Sequence, residues 1–267
     1  GRFASEHVTL APVTAAGRVD PEALRQLLRG TSATLVSIMF ANNETGVLQP
    51  VFEASEVVHE AGGLLHVDAV QAFGRLPLRF ESCGADFLTL SAHKLGGPKG
   101  VGVVAALPDR PLPEPLIRGG GQERSHRAGT ENVAGIAGFA AAAAAALAAM
   151  AGESQRLMVL RDRLEAGLSE VAGTVIFARE SSRLPNTVLA ARPNMKAETT
   201  VIAFDLAGIA VSSGAACSSG KVQPSHVLAA MGVTEDMARG AIRISFGHTT
   251  TEADIDRCVV VWRDSAS

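Results

Sequence analysis

With 267 residues, 47% of them hydrophobic, and a net charge of only −3, the chain can bury a substantial core as one large α/β domain or as a large domain plus a small one. Its acidic and basic residues are interspersed, which excludes a broad basic surface for nucleic acid and a polybasic membrane anchor and leaves a small molecule or another protein as partner. Cys83, Cys217 and Cys258 form neither a C-x-x-C pair nor an even disulfide framework, so a reducing compartment is expected.

The chain begins without Met, and its first residues lack the basic, apolar and small-residue order of a signal peptide. Residues Val8 to Val13 read as a strand. Asp20 is placed to cap a helix running through Leu28, and the nearly continuous apolar run Ala33 to Phe40 reads as a strand covered on both faces, of the parallel kind. The polar turn Ala41 to Gly46 follows. A helix over Phe52 to Ala61 is closed by Gly62-Gly63, and Leu64 to Asp68 forms the next strand, which puts Asp68 at a strand's carboxyl end. Ala85 to Leu90 and Gly100 to Ala106 add two strands, giving the alternation of an open α/β sheet.

A proline cluster from Pro108 to Pro115 and Gly119 to Glu123 mark a long loop. From Glu131 to about Val171 the pattern is helical and rich in alanine, with a bend expected near Gly152 to Gln155. Its apolar part, Val133 to Ala151, is as long as a membrane span, but Ala and Gly contribute little transfer energy, so it reads as a buried or half-buried helix. A domain boundary is expected near Ala151, dividing the chain into 1–150 and 151–267. Beyond it, strands are expected near Val175 to Ala178, Thr187 to Leu189 and Ile242 to Phe246. Helices are expected near Glu198 to Ala207, Ser225 to Met231 and Glu252 to Trp262.

Three constellations carry chemistry. In Ser91-Ala92-His93-Lys94, a lysine sits in a small-residue turn at a strand end, where α/β sheets bind ligands and where apolar surroundings make an amine a usable nucleophile and base. A solvated surface lysine is the alternative. Asp68 and Gln71, three apart where strand passes to helix, can face one ligand, although an Asp there also serves as a helix cap. A carboxylate on a ring nitrogen, an amide on a ring oxygen and a Schiff-base lysine suit pyridoxal phosphate, with Ser91 to Gly97 and Gly129-Thr130 as phosphate donors.

The second constellation is Cys217 within Val211 to Gly220, a run of Ser, Gly and Ala that suits a mobile thiol better than a buried one. Cys83 and Cys258 read as structural. The third is Arg243 in the otherwise apolar strand Ala241 to Phe246. Its partner is either a substrate carboxylate or a structural ion pair.

Together, Asn42-Asn43-Glu44-Thr45-Gly46, His66-Val67-Asp68-Ala69-Val70-Gln71, Ser91-Ala92-His93-Lys94, Gly129-Thr130-Glu131-Asn132 and Ser213 to Gly220 closely resemble cysteine desulfurases of the nitrogen-fixation and iron–sulfur-assembly type. These belong to the class V aminotransferase group of fold-type I pyridoxal phosphate enzymes. The resemblance covers nearly the whole chain in family order. It implies a mostly parallel central sheet with helices on both faces, in a cofactor-binding large domain over 1–150, and a smaller C-terminal α+β domain over 151–267 carrying the cysteine loop.

The resemblance also implies the roles. Lys94 forms the Schiff base with pyridoxal phosphate, Asp68 pairs with the pyridine nitrogen, Gln71 with the phenolic oxygen, and Asn43 contacts cofactor and substrate. Ser91 and His93 hold the phosphate, and Thr130 reaches the phosphate of a partner subunit, which implies a homodimer. Arg243 binds the carboxylate of L-cysteine. Lys94 moves the Cα proton, and Cys217 takes the sulfur as a persulfide while alanine leaves. An iron–sulfur scaffold or another sulfur acceptor is the implied protein partner, and the cytoplasm is the implied compartment. No resident metal is implied, although Cys217 could transiently ligate an iron–sulfur cluster.

Family members carry a further N-terminal section with a phosphate turn and a ring-stacking histidine, neither of which is identifiable here, so the chain reads as N-terminally truncated. His7 is set aside as the stacking residue because Val8 is expected to begin a strand at once. The alternatives are a selenocysteine lyase, another class V pyridoxal phosphate enzyme, or an inactive module that docks sulfur-accepting scaffolds.

Overall fold

The computed structural model describes residues 7–31, 34–214 and 225–265. They form two compact units, one of Gly30–Phe40 and Val51–Met150, the other of Gly1–Arg29, Ala41–Pro50 and Ala151–Ser267. Residues 1–29 and 41–50 group with the segment that starts at Ala151. Hydrogen bonds explain this grouping. Leu48 N–H donates to the Ser182 carbonyl at 2.9 Å, Leu184 N–H to the Gly46 carbonyl at 2.8 Å, and the Gln49 side chain to the Gly17 carbonyl at 2.8 Å.

The first unit holds a four-stranded sheet of β1 (Leu35–Met39), β2 (Leu64–Asp68), β3 (Phe87–Ser91) and β4 (Gly102–Ala106), in that spatial order. β1, β2 and β3 run parallel, and β4 returns antiparallel to β3. Helix α2 (Val51–Glu60) precedes β2 and ends as its glycines demand. Gly62 sits at φ +73° and donates to His59, while Gly63 donates to Val58. β1 and β2 alternate in burial, whereas in β3 the successive residues Phe87 and Leu88 are both buried. Ile38, Leu65, Val67 and Leu88 are buried, whereas Leu35 and Met39 on the other face of β1 are exposed at 59% and 38%. A near-continuous apolar run thus forms a strand that this chain covers on one side.

Asp86 locks this unit. Its fully buried carboxylate accepts from Leu65 N–H at 2.7 Å, from His59 Nε2 at 2.9 Å and from Arg110 Nε, joining α2, β2 and the segment after β4. Burial alone raises an aspartate pKa, but these donors outweigh it and hold the Asp86 carboxyl below its ordinary range. The stability that this network confers is therefore complete above the ordinary aspartate range and is lost as pH falls through the lowered folded value. Asp86→Asn is expected to cost about 2 kcal/mol near neutral pH, less than the full cost of breaking a buried pair because Arg110 and His59 stay partly solvated. Denaturation at several pH values checks this, and a cost that does not shrink in acid contradicts it.

Helix α1 (Pro21–Leu28), in the other unit, starts where Asp20 accepts from the Glu22 and Ala23 amides. The expected strand at Val8 to Val13 does not form. Residues 8–12 are irregular and only Val13 pairs, with Val19, so the reason for setting His7 aside falls away. Helix α3 (Val133–Ser169) is one helix of 37 residues that is not divided at Gly152 to Gln155. One glycine costs only about 1 kcal/mol in a helix interior, too little to divide one this long. Leu157, Leu160, Leu164 and Leu168 bury the second half of α3. The first half does not meet the expectation of burial. By length and composition it could cross a bilayer, and its most apolar window is mostly exposed in this chain.

The C-terminal unit is built on a second, antiparallel sheet. Its strands β5 (Val175–Ile176), β6 (Thr187–Ala191), β7 (Ser212–Ser213) and β8 (Ile242–Ser245) lie in the order β5-β6-β8-β7. One face packs on α3, α4 (Ala197–Leu206) and α7 (Glu252–Asp264) through Val188, Phe204, Ile242, Ile244 and Trp262. The other face meets α5 (His226–Ala230) and α6 (Glu235–Arg239) through Leu189, Leu228 and Ala238. All five residues of β6 are buried, as a strand covered on both faces requires. The short β7 and α6 had no expectation from sequence.

Candidate functional site

In the first unit the chemistry-bearing residues gather at the carboxyl ends of β2 and β3. Parallel pairing sets Asp68 beside Thr89, so Asp68 and Ser91, two residues beyond Thr89, share one sheet face. The same face carries His66, whose Nδ1 lies 2.8 Å from Ser37 Oγ and whose Nε2 lies 3.0 Å from Thr89 Oγ1. Burial lowers the His66 pKa, partly opposed by the Asp68 charge, so the ring is a neutral polar tie across β1, β2 and β3. Asp68 itself is exposed, and its Oδ1 accepts from Val70 N–H at 2.9 Å. That bond turns the chain into the tight 69–76 turn containing Gln71.

Lys94 lies in a single 3₁₀ turn, Ala92–Leu95, that leaves β3 directly. Gly96 closes the turn at φ 82°, and the Gly96 and Gly97 amides both donate to the Ala92 carbonyl. Ser91 Oγ and His93 Nδ1 are 2.8 Å apart at the start of the turn, and Lys94 is half-buried. Arg75 ties this turn to the preceding one, because its Nη1 donates to the Gln71 carbonyl at 2.9 Å and its Nη2 to the Lys94 carbonyl at 2.8 Å. Thr130 is exposed on a separate loop, where Arg127 Nη1 donates to the Gly129 and Thr130 carbonyls.

The C-terminal unit brings two of the three remaining expected residues, Asn43 and Arg243, together. Arg243 projects from β8 on the face opposite Ile242 and Ile244, and its Nη1 donates to the Asn43 carbonyl at 2.7 Å. Asn43 belongs to a turn organised by Asn42, whose Oδ1 accepts from the Glu44 and Thr45 amides at 2.9 Å each. Cys217 lies outside the described residues. The flanking residues are tied down: Gly214 N–H donates to the Ala241 carbonyl at 2.8 Å, and Ser225 Oγ donates to Glu44 Oε2 at 2.5 Å while accepting from Leu228 N–H.

Glu44 and Arg75 have no separate role in the sequence reading. Glu44 is buried, and burial raises its pKa against the lowering effects of the Ser225 hydrogen bond, His226 and Arg243. The folded chain therefore takes up this proton before the unfolded one does. As pH falls from neutral toward the ordinary glutamate range, wild type is expected to gain stability relative to Glu44→Gln, and to lose that gain as pH rises through the folded value. Chemical denaturation of both proteins across pH checks the sign, and a flat or opposite difference contradicts it.

Residues 2–258 match the family model for aminotransferase class-V. A cysteine desulfurase of Cereibacter sphaeroides is 49% identical over 251 residues, which are 94% of this chain and 64% of that protein. A cysteine desulfurase of Gluconacetobacter diazotrophicus is 48% identical over 250 residues, 93% of this chain and 62% of that protein. Among solved structures, a NifS-like protein from Rickettsia africae ESF-5 superposes with a TM-score of 0.89 at 39% identity, over 95% of this chain and 68% of that one. The chain thus spans less than two thirds of the length of these two curated relatives.

Proposed function

The chain belongs to the aminotransferase class-V family, and on that premise we propose that it is a cysteine desulfurase that converts L-cysteine to L-alanine and passes the sulfur through Cys217 toward iron–sulfur cluster assembly. The observation that carries the reading is the set of strand-end residues in the first unit. Asp68 and Ser91 share a sheet face, and the Gln71 and Lys94 backbones are bound by one arginine.

Enzymes of this family in general use pyridoxal phosphate, and the residues present fit it. A carboxylate, a side-chain amide, a hydroxyl with an imidazole, and a half-buried amine stand at adjoining strand ends. Their chemistry matches a protonated ring nitrogen, a phenolic oxygen, a phosphate and an aldehyde carbon. When bound, pyridoxal phosphate supplies the electron sink that makes the substrate Cα–H acidic and weakens the Cβ–S bond.

In this reading Asp68 keeps the ring nitrogen protonated, and Gln71 contacts the ring oxygen. Ser91 and His93 hold the phosphate. Lys94 would hold the cofactor, and its amine would move the substrate Cα proton. Asn43 contacts cofactor and substrate, and Arg243, anchored on the Asn43 carbonyl, is the cation assigned to the cysteine carboxylate. The Cys217 thiolate would attack the substrate sulfur, forming the S–S bond of a persulfide as the Cβ–S bond breaks, its electron pair passing to the carbon fragment that is protonated and leaves as alanine. Thr130, exposed on a braced loop as a residue serving another subunit has to be, reaches the phosphate in the second protomer of a homodimer. A sulfur-accepting scaffold protein and the cytoplasm complete the proposal.

The test is to supply the chain with pyridoxal phosphate and L-cysteine and to measure alanine. Alanine in step with sulfur delivered to a thiol acceptor is expected. Cofactor-loaded chain that forms no alanine contradicts the reading.

A further inference from the structure

We propose that Arg75 is a positioning residue for Lys94, a rigid two-pronged tie that fixes the lysine turn against the turn carrying Gln71. The proposal rests on the reading above that Lys94 carries the cofactor. Its structural half can be tested without that reading.

Arg75 is half-buried, and the two nitrogens at the end of its guanidinium bind two different turns at ordinary hydrogen-bond lengths, Nη1 to the Gln71 carbonyl and Nη2 to the Lys94 carbonyl. The prongs of a guanidinium are coplanar and fixed in angle, so holding both carbonyls sets the distance and tilt between two backbone points. Those points are the attachment sites of the amide assigned to the ring oxygen and of the amine assigned to the aldehyde carbon. A lysine in the same place carries a single point-like head on a flexible stem and cannot impose that angle.

Packing brings the two turns close at the same place. Gly74, immediately before Arg75, has φ +76°, and a Cβ added there would lie 2.9 Å from Leu95 Cδ2 and 2.9 Å from Ala146 Cβ. The 69–76 turn therefore rests against the neighbour of Lys94. Burial lowers the Arg75 pKa. Within the Lys94 turn, the Gly96 and Gly97 amides converge on Ala92, and Arg75 supplies a bond to the carbonyl of Lys94 itself. Positional precision of this kind matters at a catalytic lysine, where a small misplacement of the reacting atom costs rate.

The experiment is hydrogen exchange on the whole chain, with and without pyridoxal phosphate, for wild type, Arg75→Met and Arg75→Lys. Arg75→Met keeps the stem and removes both prongs. Without cofactor, its amides over residues 92–97 are expected to exchange about tenfold faster, while amides of β6 and β8 keep their wild-type rates. With cofactor, its apparent Kd is expected to rise about tenfold, and borohydride is expected to trap less cofactor on Lys94. Arg75→Lys is expected to fall between the two. Unchanged exchange over 92–97 in Arg75→Met overturns the proposal. If Arg75→Met does not fold, Arg75→Lys decides, and wild-type exchange and cofactor affinity in that variant overturn the two-pronged argument. Faster exchange in a chain that never binds pyridoxal phosphate supports the tie and instead sinks the assignment of Lys94.

Discussion

Replacing Lys94 with alanine is expected to abolish alanine formation from L-cysteine, with a loss on the order of 10³-fold or more. The side chain is asked to do two things, to bind the cofactor covalently and to move the substrate Cα proton, and no neighbour in the Ala92–Leu95 turn offers a second amine. The turn's backbone should survive the change, because its closing bonds to the Ala92 carbonyl and the Arg75 guanidinium bond to the residue 94 carbonyl use no atom of the residue 94 side chain. The checks are alanine production and the yellow, borohydride-reducible lysine adduct, both of which should disappear while the thermal transition stays near wild type. A Lys94→Ala protein that still makes alanine at a tenth of the wild-type rate overturns the assignment.

Replacing Cys217 with alanine is the second large effect, and it is selective. Sulfur leaves cysteine in the proposed reaction because a thiolate takes it, so removing the thiol should stop desulfuration almost completely. Cofactor binding should be untouched. A selenocysteine lyase differs at this point, since cleavage of selenocysteine is expected to continue within a few-fold of wild type in Cys217→Ala. The decisive comparison is alanine formed from cysteine and from selenocysteine by the same variant. Retained cysteine turnover would falsify the sulfur-relay role of Cys217. The other two thiols offer no substitute: Cys83 and Cys258 are buried, and burial pushes Cys258 up to about 12.

Features governed by local rules were readable in the sequence. Asp20 caps α1, Gly62-Gly63 ends α2, and β2 spans Leu64–Asp68 as expected, because a capping carboxylate, a left-handed glycine and a short apolar run each act over a few residues. Where partners lie far along the chain, the reading failed or was silent. Val8 to Val13 has strand-like composition, but only Val13 finds a pairing partner. The two-residue β7 depends on pairing with β8, some thirty positions on, and its own sequence, Ser-Ser, carries no alternation.

The same division holds at the site. The strand-end positions of Asp68, Ser91 and Lys94 were legible because short apolar runs bounded by turns mark where strands stop. Arg75 and Glu44 were not, because their importance comes from contacts with Lys94 and with Ser225, 19 and 181 positions away. Arg243 was recognised as an arginine needing a partner, but its anchoring on the Asn43 carbonyl, 200 residues earlier, could not be read from its own strand.

The measurement that tests the central claim most directly is the mass of the Cys217 peptide after the cofactor-loaded chain has met one equivalent of L-cysteine in the absence of any thiol acceptor. The account predicts one added sulfur atom on Cys217, in proportion to the alanine released and removed by a reducing thiol. Alanine released with no sulfur on Cys217, or sulfur found on Cys83 or Cys258 instead, contradicts it.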